Sequence, residues 1–255
     1  MAGDSFAAAI LAGGQGTRMK DIADGLPKCL LPIDGRPFLG LLVRKLLREG
    51  CDEIALILGY GERLVREYIS TELRDIPIRS SICSAGTGQA VLTALRLLSY
   101  RDDVMCLNGD TVIDVHYGTV MKFHRDLQPA ATIVTTDLRG VPNEGAVFVG
   151  PDGRVWAFTE GKAPASAGVP HPDNRRVSNC GVYCLRTSVS GLPAFAAGSD
   201  FEQNVLSALV SSEVVMSVSN GTNLFADFGT ADRYRRLNSR TSELRRLYPV
   251  GSETR

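Results

Sequence analysis

The 255-residue sequence has no excess charge of either sign. Its 28 basic residues are matched by 28 acidic ones, and the formal net charge is zero. That balance gives no support to a nucleic-acid binder or a polybasic membrane-surface protein, both of which rely on a positive field. No apolar run approaches the ~20 residues a bilayer-spanning helix needs. The N-terminus lacks the basic start and the cleavage site of a secretory signal. None of the six cysteines (Cys29, Cys51, Cys83, Cys106, Cys180 and Cys184) belongs to a CxxC pair, which leaves the usual metal-cluster and dithiol patterns without ligands. These absences predict a cytoplasmic protein with reduced thiols and no nucleic-acid or membrane partner. There is no internal repeat, and no hexapeptide array follows the first part of the chain. An anionic ligand must therefore be held by a local cluster of positive groups.

What is present is an alternation. Residues 6–11 form a short apolar run that ends in Ala12, Gly13 and Gly14, as a buried strand does when it enters a loop. Residues 37–49 have helical spacing, with Pro37 near the start and Gly50 at the stop. Strands are predicted over 54–58, 76–83, 104–107 and 131–135, and helices over 62–69, 87–98 and 116–126. This order implies an α/β, Rossmann-like, mostly parallel sheet flanked by helices on both faces. Beyond about residue 140 the texture becomes β-rich, with strands over 144–149, 155–159 and 178–185 and a hairpin turn at Asp152 and Gly153. Residues 161–174 hold three prolines and read as a loop. A helix capped by Asp200 follows over 200–209, then a strand over 214–218 and one closing helix over 230–247.

In sheets of this kind, ligands sit outside the carboxyl ends of the strands. The loop after the first strand reads Leu11, Ala12, Gly13, Gly14, Gln15, Gly16, Thr17, Arg18. Glycines let backbone amides turn toward a phosphate with no Cβ in the way. Arg18 adds a charged fork suited to phosphate oxygens. A Walker A loop is excluded because GxxxxGK[ST] is missing, and a dinucleotide fingerprint is excluded because Met19 stands where the third glycine belongs. Lys28 lies between Pro27 and Pro32, close enough in sequence to fold back onto the same phosphates. Asp110 follows the strand over 104–107, and Asp227 precedes the closing helix. Two carboxylates with phosphate between them are a usual way to hold Mg²⁺. Each feature alone also has a plainer reading: a tight turn, a solvated lysine, or a turn-forming aspartate. His116, His124 and His171 lie away from these motifs and read as surface or core residues.

In combination, the order of these pieces resembles the sugar-1-phosphate nucleotidyltransferases over nearly the whole chain. The resemblance rests on the glycine loop with Thr17 and Arg18, on Pro27 and Lys28, and on a base-binding loop at Gly86, Thr87, Gly88, Gln89 and Ala90. It extends to Asp110 and Asp227, and to sugar-side elements at Glu144 and Gly145, Glu160 and Lys162, and Asn179, Cys180 and Gly181. Within the family, residues 31–39 are most similar to D-glycero-α-D-manno-heptose 1-phosphate guanylyltransferases, with mannose-1-phosphate guanylyltransferases and small uridylyltransferases close behind. The resemblance implies one nucleotidyltransferase domain over 1–255, with a nucleotide-binding part at about 5–140 and a sugar-phosphate part at about 141–230. The implied partners are a nucleoside triphosphate (GTP) and a sugar 1-phosphate, with Mg²⁺ as cofactor; a homodimer is what relatives suggest. Implied nucleotide-binding residues are Leu11, Ala12, Gly13, Gly14, Gly16, Thr17, Arg18, Lys28, Ser84, Gly86, Thr87, Gln89, Asn108 and Gly109. Implied sugar-binding residues are Gly145, Glu160, Lys162, Asn179 and Asp227. Arg18, Lys28, Asp110 and Lys162 would act in catalysis, and Asp110 and Asp227 would bind the metal. One departure stands out: Gly161 separates Glu160 from Lys162, which the family commonly has adjacent.

Two other readings stay open. Enzymes that transfer GMP to the molybdenum cofactor share the glycine loop, but their lysine follows the arginine more closely than Lys28 follows Arg18. A non-catalytic sensor of nucleotide sugars would be expected to have lost charged groups that remain here.

Overall fold

The computed structural model describes residues 5–14, 16–137, 145–159, 173–196 and 198–249. The first half of the chain forms β1 (Phe6–Ala12), a 3-10 turn running into α1 (Lys20–Ala23), the ribbon β2 (Pro32–Ile33) and β3 (Arg36–Pro37), α2 (Phe38–Arg48), β4 (Cys51–Leu58), α3 (Glu62–Glu72), β5 (Ile78–Ile82), α4 (Thr87–Leu97), β6 (Asp103–Asn108), β7 (Thr111–Ile113), α5 (Tyr117–Leu127) and β8 (Ala131–Thr136). The second half forms β9 (Ala146–Val149), β10 (Val155–Thr159), β11 (Arg175–Arg186), a π-helical turn (Phe201–Leu206) leading into α6 (Ser207–Ser212), β12 (Val215–Ser219), β13 (Phe225–Asp227), α7 (Ala231–Asn238) and α8 (Thr241–Leu247).

β1 shows why the layers form. The two-residue period of a strand sends Phe6, Ala8, Ile10 and Ala12 into one apolar core and Ala7 and Ala9 into another. A strand buried on both faces needs a helix layer over each. Phe38, Leu42, Val43 and Leu46 of α2, with Tyr117, Val120 and Met121 of α5, complete the first core. Val91, Ala94 and Leu95 of α4 complete the second, where the small alanines of β1 leave room for the helix.

The strands form a nine-stranded mixed sheet with the order β10-β9-β11-β6-β1-β4-β5, and β8 joins β11 to β12. β1 is parallel to β4 and β6, and β4 is parallel to β5, so the carboxyl ends of these four strands face one way. β11 runs antiparallel to β6 and to β9, which makes the far half of the sheet mixed. The expected hairpin is present: Gly153 has φ +82°, and the Asp152 carboxylate accepts the Arg154 N–H at 3.0 Å. Among the described residues no helix is long and apolar enough to cross a membrane.

Three local expectations change. The closing helix is two helices, because Asn238 and Ser239 bond their own backbone: Asn238 Nδ2 donates to Tyr234 O at 3.4 Å and Ser239 Oγ to Arg236 O at 2.8 Å. The segment after Asp200 starts as a π-helical turn, though Asp200 still caps it by accepting the Gln203 N–H at 2.9 Å. Asp227 ends a strand rather than sitting in a turn, because β13 pairs antiparallel with β7, with Asp227 opposite Thr111. Strands of three residues are too short to show a period.

The loops after β1 and β4 meet backbone to backbone. Tyr60 N–H donates to Gly13 O at 3.3 Å, and a Cβ on Gly59 would lie 2.7 Å from Gly13 O and 2.8 Å from Gly13 Cα. Gly59→Ala must therefore push the glycine loop aside. Urea denaturation is expected to show a loss of about 1–3 kcal/mol, as for other overpacked sites; an unchanged midpoint would mean that the two loops do not constrain each other.

Candidate active site

A cleft of about 450 Å³ opens at the carboxyl ends of the parallel strands. Leu11 and Ala12 at the end of β1 line it with Gly13 and Gly14 just beyond, Gly59 and Tyr60 after β4, and Cys83 and Ser84 after β5. Gly86, Thr87 and Ala90 come from the start of α4, and Asn108, Gly109 and Asp110 from the end of β6. Lys28, Cys29 and Glu202 close the remaining sides. The close packing at the floor needs glycine: Gly109 N–H donates to Leu11 O at 3.0 Å, and a Cβ there would lie 2.9 Å from that same oxygen.

The charged groups converge at one end. Lys28 Nζ is 2.7 Å from Asp110 Oδ2, with the two side chains 17% and 26% exposed. Gly16 has φ +61°, and the Lys28 stem runs against it, so that a Cβ at Gly16 would sit 3.1 Å from Lys28 Cγ. The Lys28 stem thus packs along the glycine loop. Asp227 pairs with Arg233 Nη1 and accepts the Gly229 N–H at 2.5 Å. A Cβ at Gly229 would lie 2.7 Å from Asp227 Oδ1, 3.7 Å from Lys28 Nζ and 3.8 Å from Arg18 Nη2. Arg18, Lys28 and Asp227 therefore meet around a residue that has no side chain. The β7–β13 ribbon carries Asp227 to Asp110, and Phe228 N–H donates to Asp110 O at 3.1 Å.

Asp110 and Asp227 are hard oxygen donors, and no group of three or more His, Cys, Asp and Glu side chains among the described residues could hold a metal ion. That donor set fits Mg²⁺, which takes one or two carboxylates and completes its coordination with phosphate and water.

Behind Asn108 and Glu202 the structure is polar and tightly held, but Asn179, Gly181 and Tyr183 do not themselves line the cleft. The Asn179 side chain stays within β11, donating to Tyr183 Oη at 2.6 Å and accepting the Gly181 N–H at 3.0 Å. Gly181 has φ +67° and packs on Asn108; a Cβ there would fall 2.5 Å from Asn108 Nδ2. Tyr183 Oη donates to Glu202 Oε1 at 3.0 Å. Burial pushes the Tyr183 phenol well above its ordinary pKa, and the nearby Glu202 carboxylate adds to the rise, so the phenol stays a neutral donor.

Among the expected residues, Gln89 is directed elsewhere: its Nε2 donates to Phe195 O at 2.5 Å and Ala196 O at 3.2 Å, which anchors the segment before Asp200. Gly145 is buried, and its carbonyl accepts the Asn179 N–H at 3.1 Å. Glu144, Glu160, Lys162, His171, Gln15 and the Thr17 side chain lie outside the described residues. His124 is a core residue, with Nδ1 2.8 Å from Thr132 Oγ1, and His116 caps α5. Sequence reasoning missed Gly59, Tyr60, Glu202 and Arg233. The glycine after β4 was the one available signal; the other three are brought in only by tertiary folding.

Residues 7–243 match the model of the nucleotidyl transferase family. A D-glycero-α-D-manno-heptose 1-phosphate guanylyltransferase of Aneurinibacillus thermoaerophilus is 28% identical over 232 residues, covering 90% of this chain and 95% of the relative. The bifunctional protein GlmU of Pelobacter propionicus is 32% identical over 205 residues, and the match spans 79% of this chain but 43% of that relative. The crystal structure of HddC from Yersinia pseudotuberculosis complexed with GMP-PN superposes with a TM-score of 0.75 at 23% identity, over 92% of this chain and 99% of the other, a likeness of fold.

Cys29 lines the cleft, but burial pushes its thiol up to about 12. Cys29 is only 2% exposed, so a nucleophilic role is not expected of it. In the folded protein at mildly alkaline pH, iodoacetamide should leave Cys29 unmodified by peptide mapping, whereas urea should expose it; fast native labelling would contradict this environment.

Proposed function

This chain belongs to the nucleotidyl transferase family, and we propose that it transfers a guanylyl group from GTP to a sugar 1-phosphate, with D-glycero-α-D-manno-heptose 1-phosphate as acceptor. The observation that carries the reading is the meeting of Arg18, Lys28 and Asp227 around Gly229, with Asp110 on Lys28. Support for the base and the sugar comes from the guanylyltransferase relative, which aligns over nearly its whole length, and from the GMP-PN complex of the structural neighbour.

In this reaction an oxygen of the sugar phosphate attacks the α-phosphorus of GTP. The bond from that phosphorus to the bridging oxygen breaks, and pyrophosphate leaves with the electron pair. A phosphate monoester is already a nucleophile, so the protein's work is positioning and charge neutralisation. Amides of Gly13, Gly14 and Gly16, with the Arg18 guanidinium, hold the β- and γ-phosphates that become the leaving group. Lys28 neutralises charge that builds at the α-phosphate. Asp110 and Asp227 would hold Mg²⁺, which when bound supplies further neutralisation of the phosphates. By the family resemblance, Lys162 would offset the charge of the incoming phosphate and Glu160 would bind the sugar; both lie outside the described residues.

Pyrophosphate release across a matrix of nucleoside triphosphates and sugar 1-phosphates tests this. GTP with the heptose 1-phosphate is expected to be fastest, and EDTA should abolish turnover until Mg²⁺ is restored. A faster pair would replace the assigned substrates. Arg18→Ala and Asp110→Ala should each slow turnover by about 10²–10³, as for loss of a preorganised charged contact, while circular dichroism stays native. Near-wild-type rates in both variants would sink the site assignment.

A further inference from the structure

The cleft is charged on one side and neutral on the other. Lys28, Asp110 and Glu202 are its charged lining residues, and Asp110 lies just beyond β6. The side at the ends of β4 and β5 is lined by Gly59, Tyr60, Cys83 and Ser84 and carries no formal charge. β6 and β4 flank β1 on opposite sides, with β5 beyond β4. On the proposed function, a triphosphate lying over β1 with its α-phosphate at Lys28 and Asp110 has this neutral side left for its nucleoside.

Tyr60 is the largest side chain on that side, and it is 45% exposed. The other two exposed aromatic rings each have a cation over the face: Arg154 lies 4.6 Å from the Trp156 ring and Arg79 5.2 Å from the Tyr100 ring. Tyr60 has no such cover. Among the described residues its ring meets no other ring and no cation, and its hydroxyl makes no hydrogen bond. Its backbone is nonetheless wedged on both sides. Tyr60 N–H donates to Gly13 O at 3.3 Å, and on the other flank a Cβ at Gly61, where φ is +68°, would lie 3.0 Å from Pro27 Cγ. The glycine loop and the turn before Lys28 thus fix the backbone beneath a bare aromatic ring.

We propose that Tyr60 is a nucleobase-binding residue, its ring stacked on the base of the triphosphate. This rests on the proposed function, which puts a nucleotide in the cleft. A base has a flat apolar face that gains by leaving water, and an aromatic ring matches it. Preorganisation matters as much: a ring on a backbone fixed by Gly13 and Pro27 loses little freedom when the base arrives. A stack reads no hydrogen-bonding edge, because every base has a π-face. Tyr60 therefore supplies affinity for the nucleoside and leaves the choice of base to the groups around it.

Steady-state kinetics of wild type, Tyr60→Phe and Tyr60→Ala test this, with KM for GTP and for ITP read beside the inhibition constant of pyrophosphate. Pyrophosphate has no base, so it reports the phosphate site alone. Tyr60→Ala is expected to raise KM for GTP about ten- to hundredfold, the worth of one base stack, with pyrophosphate inhibition within about twofold of wild type. ITP, which lacks the exocyclic amine of guanine, should lose by the same factor as GTP. Tyr60→Phe keeps the ring and should stay within about threefold of wild type on every readout. A parallel rise for GTP and pyrophosphate would make Tyr60 a prop for the glycine loop and overturn the proposal. So would an unchanged KM in Tyr60→Ala, a loss for GTP that ITP does not share, or a Tyr60→Phe as impaired as Tyr60→Ala. If wild type is inert with every sugar 1-phosphate, the proposed function fails, and calorimetric dissociation constants for GTP and pyrophosphate then decide the stack by the same comparison.

Discussion

The ion pair between Lys28 and Asp110 joins what the chain keeps apart. Lys28 belongs to a turn that follows the glycine loop, whereas Asp110 ends a strand 82 residues later. Both side chains are largely sheltered, at 17% and 26% exposed. Removing either would leave its partner partly desolvated with no counter-charge, which costs more than the pair itself contributes. The lysine stem runs close along Gly16, where an added Cβ would lie 3.1 Å from Lys28 Cγ. Arg18 and Asp227 stand at the same place, around Gly229, and complete the cluster.

That cluster carries three cations, Arg18, Lys28 and Arg233, against two carboxylates, Asp110 and Asp227. Such a concentration of polar charge contributes little net stability; apolar residues of similar volume would often do as well or better. It is consistent with a site built for an anionic ligand in a protein whose overall charge is zero. The Asp227–Arg233 pair gives the second carboxylate a cation of its own, so the two acids stand at the same place without facing each other unpaired.

Much of this was legible in the sequence. The strand and helix alternation from residue 6 to 136 came through because long elements buried on one or two faces print their period directly. Arg18, Lys28, Asp110 and the glycines were legible as candidates from residue type and order, and the fold brings them to one place. Asp227 was found as a residue but not as a strand end, since β7 and β13 pair over only three residues each. Gln89 was expected at the base, yet two carbonyls, Phe195 O and Ala196 O, claim its amide. Glu202 left no local signal at all. It lines the cleft on a turn that Tyr183 meets only once β11 has joined the sheet.

The sheet's change of direction bears on how one scaffold could serve different acceptors. β1, β4, β5 and β6 form a rigid parallel unit whose ends are fixed by backbone contacts such as Gly59 on Gly13 and Gly109 on Leu11. Glycine is required at Gly59 and Gly109, and Lys28 and Asp110 add their side chains to the same floor. On the far side β11 breaks register between Asn179 and Tyr183, and side chains take over: Asn179 to Tyr183, Tyr183 to Glu202. Backbone binding suits the part of a substrate that stays constant, the phosphates. Side-chain binding suits the part that varies, since one substitution can replace an acceptor with a donor without moving a strand. On the proposed reading, triphosphate binding draws on the parallel half with Arg18, Lys28 and Asp110, while the run of side-chain bonds from Asn179 through Tyr183 to Glu202 belongs to the mixed half.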